Sequence, residues 1–495
     1  MEELNKNKQF CFLFIIFIIF SIVHIVYATI TMRGMYCDGA FFMLEQLNNF
    51  SSNIYKVSYD ETHTRVMILF LMQFPVMFAH GFLQVNDKFA LMKIFSFSQF
   101  ALPLLFLLWN FYLTKRTNRT DILFWNLFVY GAIICPFMIF SVVETIIGVM
   151  LNFILWNYLA ANIEYKKKDI IFIIFLVTMM FGTYEYVALL GIIFFLAHFH
   201  YVVQEKSFKN QCVKTFIGLG ALASAIYTIS FMLKTDGEGG EILRFIGEAT
   251  DFLPHLFELN SLFSVLTIVI VIFISFKKEK MSLLLNSFIL ILYVLCFLYL
   301  IRIPLLSVYP MWEQHLRTIP CWFIPLLFTS LLIKDMISAK VNDKKYTNLI
   351  IVALICCIFQ TAWQMVDTYY WNQNIKYMKN ELLSYNGVLY VPSEHEEISG
   401  FHNKQLRRYI WHGIFPVTSI LFSEDYKQKT LLLSYDEPQD PGNGTFRSLL
   451  YVIDDKKMSV PFGTIIDIKN DYWDLTDCAN SLYKYNKENN IKTDG

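Results

Sequence analysis

A chain of 495 residues that is 56% hydrophobic and 17% aromatic, with 48 phenylalanines, is too apolar for a soluble protein, so lipid must be its main solvent. Its 41 Lys and Arg balance 41 Asp and Glu. The net charge therefore says little about partners, no nucleic-acid partner is expected, and the distribution of charge carries the information. Nine cysteines do not make a disulfide scaffold: Cys11, Cys135, Cys212, Cys296, Cys356 and Cys357 lie in apolar runs as small hydrophobes, and only Cys37 and Cys478 could form a bridge.

In chain order, apolar runs long enough to cross or nearly cross a bilayer occupy 10–30, 89–113, 121–140, 145–162, 170–183, 186–203, 215–233, 261–276, 282–301, 320–333 and 346–366. No small-residue cleavage site follows the first, so it reads as a retained helix. A twelfth stretch, 65–83, is broken by Gln73, Pro75, His80 and Gly81. If it lies along or re-enters the surface, alternate connections carry eighteen Lys and Arg, against eight in the longer opposite loops. That bias predicts about eleven transmembrane helices, a cytoplasmic N-terminus and an extracytoplasmic C-terminus.

The outer side then holds the elaborate segments. A first loop spans 31–88, a short one surrounds 141–144, others span 234–260 and 302–320, and a tail runs from 367 to 495. The tail contains β-favouring runs, "GVLYVPS" (387–393), "TSILFSE" (418–424), "TLLLSYD" (430–436), "SLLYVID" (448–454) and "GTIIDIK" (463–469), with turn-like "DEPQDPGNG" between two of them. It reads as a small β-rich or α+β domain, a docking or lid module beside a membrane site. The domain division is thus 1–366 for the membrane part and 367–495 for the tail. No inverted internal repeat is visible. The richness in Ile, Lys, Asn and Phe points to an AT-rich, bacterial genome. Two outside sequons, at Asn49 and Asn443, would matter only in a eukaryotic secretory pathway.

Ionisable side chains at a membrane edge are costly and tend to face a cavity or a partner. Asp38 and Glu45, in "YCDGAFFMLEQL", return to one helix face about 10 Å apart. The apolar "GAFFML" between them suits a short helix in the membrane surface. Glu144 in "FSVVET" is either a helix-start acid favoured by the dipole or a functional one. Glu185 in "FGTYEYVALL" reads as a solvated junction between two short helices. In "RIPLLSVYPMWEQHLRTIP" (302–320), Arg302, Glu313, His315 and Arg317 gather with Tyr309 and Trp312. Arginine recognises phosphate by paired hydrogen bonds and aromatic faces stack on sugars, although an aromatic and basic headgroup belt has the same composition. The chain contains no glycine-rich phosphate loop, HExxH or GxSxG, and no Cys/His cluster or acidic pair with metal spacing.

This layout resembles the GT-C superfamily of polytopic membrane glycosyltransferases, which take sugars from polyprenyl-phosphate donors on the outer membrane face. It is also similar to the layout of bacterial O-antigen-modifying glucosyltransferases. The resemblance implies a GT-C-like helical fold over the first 330 or so residues and an inverting sugar transfer to a glycan or lipid-linked acceptor. It implies Asp38 as catalytic base, with Glu45 the alternative because the family's adjacent acidic pair is missing. Glu144 becomes the second-loop acid and Arg317 the donor-phosphate ligand, with His315, Arg302, Trp312 and Tyr309 beside it. No cofactor is expected, and a divalent metal, used in some branches, finds no acidic pair. Cell-envelope polysaccharide synthesis at a bacterial inner membrane is the implied setting. A polysaccharide polymerase of the O-antigen type and a lipid-linked sugar transporter are the alternatives; the nearly charge-free helix centres count against the transporter.

Overall fold

The computed structural model describes residues 7–36, 38–57, 65–131, 144–234, 312–337, 343–391, 415–434, 451–460 and 464–488. In chain order, the helices are α1 (Lys8–Ile30), α2 (Asp38–Ser51), α3 (Val66–Gly81), α4 (Lys88–Thr117), α5 (Thr120–Val129), α6 (Glu144–Ala160), α7 (Lys167–Met180), α8 (Val187–Val203), α9 (Phe208–Lys234), α10 (Trp312–Ile337), α11 (Asp343–Tyr377), α12 (Phe415–Phe422) and α13 (Thr476–Glu488). The strands are β1 (Gly387–Val391), β2 (Thr430–Ser434), β3 (Tyr451–Val452), β4 (Lys457–Val460) and β5 (Thr464–Asp467).

Among the described residues, four helices (α1, α4, α9 and α11) are long and apolar enough to cross a membrane. Shorter apolar helices at 66–81, 120–129, 146–160 and 187–203 pack with them. The protein is therefore mostly helical, with the character of a membrane protein. The expected crossings at 261–276 and 282–301 lie outside the described residues.

Local chemistry sets the helix ends. Asn7 caps α1 by accepting from Gln9 N (3.0 Å) and Phe10 N. Asp87 does the same for α4 through Phe89 N and Ala90 N, and Asn118 ends that helix in the left-handed conformation with φ 56°. By contrast, α6 is buried on every side from Ile146 to Leu159, as a helix apolar all round should be.

One end of the bundle is fastened by buried ion pairs. Arg119 in the α4–α5 turn forks onto Asp121 (2.9 and 2.8 Å) and also pairs with Asp335 of α10 at 2.8 Å. Lys334 pairs with the same Asp121, and Tyr201 of α8 donates to Asp335 at 2.7 Å. Arg116 forks onto Asp169 nearby (2.6 and 2.9 Å), and Lys214 meets Glu205 at 3.1 Å. Burial tends to raise the Glu205 carboxyl, but the Lys214 ammonium and the Ser207 backbone outweigh it and hold the carboxyl below its usual range.

The other end carries the tail, which is α+β. β1 and β2 pair in parallel, with Gly387 opposite Thr430, and β3–β4–β5 form an antiparallel sheet. Of the five predicted strand runs, 418–424 is instead the end of helix α12. Every residue from Val417 to Phe422 is buried, so the run has no alternating exposed face to mark it as a strand. Pro416 sits in its first turn, where a missing N–H costs nothing. The α11 helix continues past residue 366 to Tyr377, which carries Asp367 into the packed bundle.

Candidate functional site

The tail-side end is where most of the predicted site residues lie. After α1 the chain turns through Met32, held in the left-handed conformation at φ 52°, into a 3-10 turn at Arg33–Met35. Arg33 is buried, pairs with Asp367 of α11 at 3.0 Å, and lies over the rings of Tyr36 and Trp371. Trp371 donates its indole N–H to Thr31 O at 3.0 Å. Gly34 donates its N–H to Ser96 Oγ of α4 at 3.1 Å, and a Cβ at residue 34 would approach Ser96 to 2.9 Å. A Cβ at residue 39 would run into the Gly34 carbonyl. Two glycines thus let the chain double back tightly, which sets the first residue of α2, Asp38, against α4 near Gln99.

For Asp38, Glu144, Trp312, His315 and Arg317 the backbone position alone is described, and Arg302 and Tyr309 lie outside the described residues. Asp38 and Glu144 each open a helix, where the macrodipole favours an acid. The helices bring three of these positions level. Asn157 of α6 donates to Asn110 of α4 at 2.9 Å. Counting thirteen residues back along both helices, a rise of about 20 Å, brings Glu144 level with Phe97, one turn or less from Ser98 and Gln99, where α2 begins. Phe328 of α10 packs on Phe153 of α6 with ring centroids 5.0 Å apart. Running the same number of residues outward along both helices brings Glu144 level with Ile319, close to Arg317. Trp312, His315 and Arg317 are helical rather than in a loop, because α10 begins at Trp312 instead of near residue 320.

Glu45 has a different environment. It is half-buried, and its Oε1 accepts from Thr464 Oγ1 of β5 at 3.2 Å. On the same side of α2, Asn48 Oδ1 accepts from Asp467 N at 2.9 Å and Asn470 Nδ2 at 3.4 Å, while Ser51 Oγ accepts from Asp471 N at 3.3 Å. The short surface helix expected over "GAFFML" is part of the longer α2 and is covered: Ala40 to Leu44, Gln46, Leu47 and Phe50 are all buried, and Gln46 donates to Gln73 of α3 at 2.9 Å. Helix α12 and strand β5 of the tail pack on this helix together with α3 and α4, which composition alone could not reveal.

Two residues at this end take roles that the sequence reading did not give them. Glu185, read as a solvated junction, is buried and paired with Arg65 at 3.1 Å, with Arg65 stacked 4.3 Å from the Tyr184 ring centroid. Met67 N donates to Gly182 O at 3.1 Å, and a Cβ at Gly148 would strike Thr183, so the junction seats both α3 and α6. The signal was present as an arginine opening the broken apolar stretch and a glutamate between two tyrosines, but only folding pairs them. Cys478 is a free thiol that donates to Gln428 O at 3.2 Å, so it is not bridged to Cys37. Among the described residues, no three His, Cys, Asp or Glu side chains gather as a metal ion would require. Compared with known protein families, curated proteins and solved structures, the chain matches none of them.

Proposed function

We propose that the protein is an inverting GT-C-type glycosyltransferase that moves a sugar from a polyprenyl-phosphate donor to a glycan or lipid-linked acceptor outside the cytoplasm. The observation that carries this reading is the common level of the helix starts at Asp38 and Glu144 and the first turns of α10 with Arg317, at the end covered by the tail. An acid and a cation at one membrane-edge level suit a donor whose leaving group is already a phosphate.

In the proposed reaction the Asp38 carboxylate takes the proton from an acceptor hydroxyl. The acceptor oxygen attacks the anomeric carbon opposite the phosphate, the carbon–oxygen bond to phosphate breaks, and the bonding pair leaves with the phosphate. Arg317 stabilises the charge that develops there, with His315, Trp312, Arg302 and Tyr309 as the neighbouring donor contacts. One displacement inverts the anomeric configuration. Glu144 is the second acid, orienting the acceptor. The proposed base is Asp38 rather than Glu45, because Glu45 already accepts from Thr464 and serves the tail. The proposed orientation puts the N-terminus in the cytoplasm and the tail outside, as the Lys and Arg bias favours.

The test is sugar transfer from a labelled polyprenyl-phosphate donor in membranes. Asp38→Asn should lower the rate by about 10²- to 10⁴-fold, the usual worth of a general base. Glu144→Gln should also reduce it, while Glu45→Gln should stay within about tenfold of the parent. Full activity in Asp38→Asn would remove the base assignment, and no transfer by the parent from any polyprenyl-phosphate sugar would remove the reading.

A further inference from the structure

At the end of the bundle opposite the tail, the seam between α4 and α7 is apolar along its length and closes on unpaired positive charge. The two helices run antiparallel. Trp109 of α4 packs on Phe172 of α7 with ring centroids 4.4 Å apart, and one turn nearer the end Tyr112 meets Lys168. The fork of Arg116 onto Asp169 fixes this register. Along the seam Leu105, Tyr112 and Ile171 are exposed by 56%, 44% and 69%, and Trp109 and Phe172 are half-buried. Neither 105–112 nor 170–180 contains an Asp, Glu, Lys or Arg. From Leu105 to Tyr112 the strip runs about 10 Å along α4.

Two exposed lysines close the strip. Lys168 Nζ lies 3.4 Å from the Tyr112 hydroxyl and 5.7 Å from the centroid of its ring. Lys115 Nζ lies 5.0 Å from the ring of Phe111, which stacks on Phe14 of α1 at 4.7 Å. Tyr112 and Lys115 are neighbours on the helix surface at i, i+3 spacing, so the two lysines flank one tyrosine. Among the described residues neither ammonium is paired with an acid, because Asp169, next to Lys168 in the chain, is held by Arg116. A lipid-facing apolar strip that ends in two unpaired cations matches an acyl chain that ends in an anionic headgroup. A zwitterionic lipid would bring its own cation to the lysines, and a free phosphate would leave the strip bare.

We propose that the α4–α7 seam binds an anionic glycerophospholipid. One acyl chain lies along Trp109 and Phe172, and the headgroup phosphate accepts from Lys168, Lys115 and the Tyr112 hydroxyl. The site is separate from the proposed sugar transfer and does not depend on it, nor on which side of the membrane this end faces.

Native mass spectrometry of the full-length chain in a neutral maltoside detergent tests this, with dioleoylphosphatidylglycerol titrated against dioleoylphosphatidylcholine. At low salt a lysine beside an anionic headgroup is worth about fivefold in affinity, so the parent should prefer phosphatidylglycerol by about 25-fold. Lys115→Gln/Lys168→Gln should bind the two lipids about equally, with an unchanged apparent Tm in the absence of lipid. Lys168→Gln alone should cost about fivefold in phosphatidylglycerol affinity. Lys206→Gln, which removes an exposed lysine of the α8–α9 connection at the same end, should cost almost nothing. A parent without the preference, or a double variant that keeps it, would overturn the proposal. An equal loss in Lys206→Gln and Lys168→Gln would overturn it too, since the attraction would then be spread over the whole basic end. Retention of inorganic phosphate by the parent with no preference between the lipids would remove the lipid as occupant.

Discussion

At the scale of single residues, burial decides how chemical groups behave more than identity does. Cys478 shows this in the tail. Burial, helped by the neighbouring Asp477 carboxylate, pushes its thiol from the ordinary 9.0 up to about 12. Between those values the unfolded chain has lost a proton that the folded chain keeps. Stability should therefore be unaffected below about pH 9 and fall by about 1.4 kcal/mol per pH unit above it. Unfolding of the detergent-solubilised chain at pH 8 and pH 10, with Cys478→Ala as reference, measures this; equal pH dependence in both chains would contradict it. The same principle separates the two acids of the first loop. Glu45 was legible as a candidate from its helical spacing to Asp38. Its contact with Thr464, over 400 residues further along the chain, was not.

At the scale of elements, the tail and α2 act as one unit. Glu45, Asn48 and Ser51 recur every three residues on one side of α2, and all three accept from the segment 464–471. Lys88, the first residue of α4, donates to Ser423 O at 2.8 Å and so caps the end of α12. Asn48 uses only its carbonyl oxygen, because both of its partners are donors. Asn48→Asp should therefore keep the seam and Asn48→Leu should lose it, leaving Asp467 N–H without its acceptor at a cost of about 1–3 kcal/mol. Hydrogen exchange at Asp467 reads the difference: about tenfold or more faster exchange is expected in the leucine variant, with little change in the aspartate one. Equal protection in both would show that the seam is held by other contacts.

At the scale of the whole molecule, buried charges pin both ends of the helical bundle while its middle is packed by aromatic rings. Arg33 with Asp367 ties α1 to α11 on the tail side. On the opposite side Arg119, Asp121, Lys334 and Asp335 form a neutral buried group that joins the α4–α5 turn to α10. Between them Trp156, Phe194 and Phe328 pack ring on ring, with centroids 4.9 to 5.7 Å apart. Asp121 serves two cations, so Asp121→Asn leaves a net positive charge buried. The expected loss is about 3–5 kcal/mol, seen as a lower apparent Tm in detergent. An unchanged Tm would show that water reaches this group.

The sequence by itself determined that the chain is apolar enough for lipid to be its main solvent and that its long apolar runs are helical where they are described. Those features depend on residue type and spacing within windows of about twenty residues, which a local pattern carries in full. Tertiary structure alone decided that α2 is covered by the tail. It also paired Arg65 with Glu185 and made residues 415–422 helical. Each of those outcomes depends on which distant part of the chain packs beside the element. Apolar runs such as "GAFFML" and "VMILFLMQF" are equally ready to meet protein or lipid, so composition cannot choose between them.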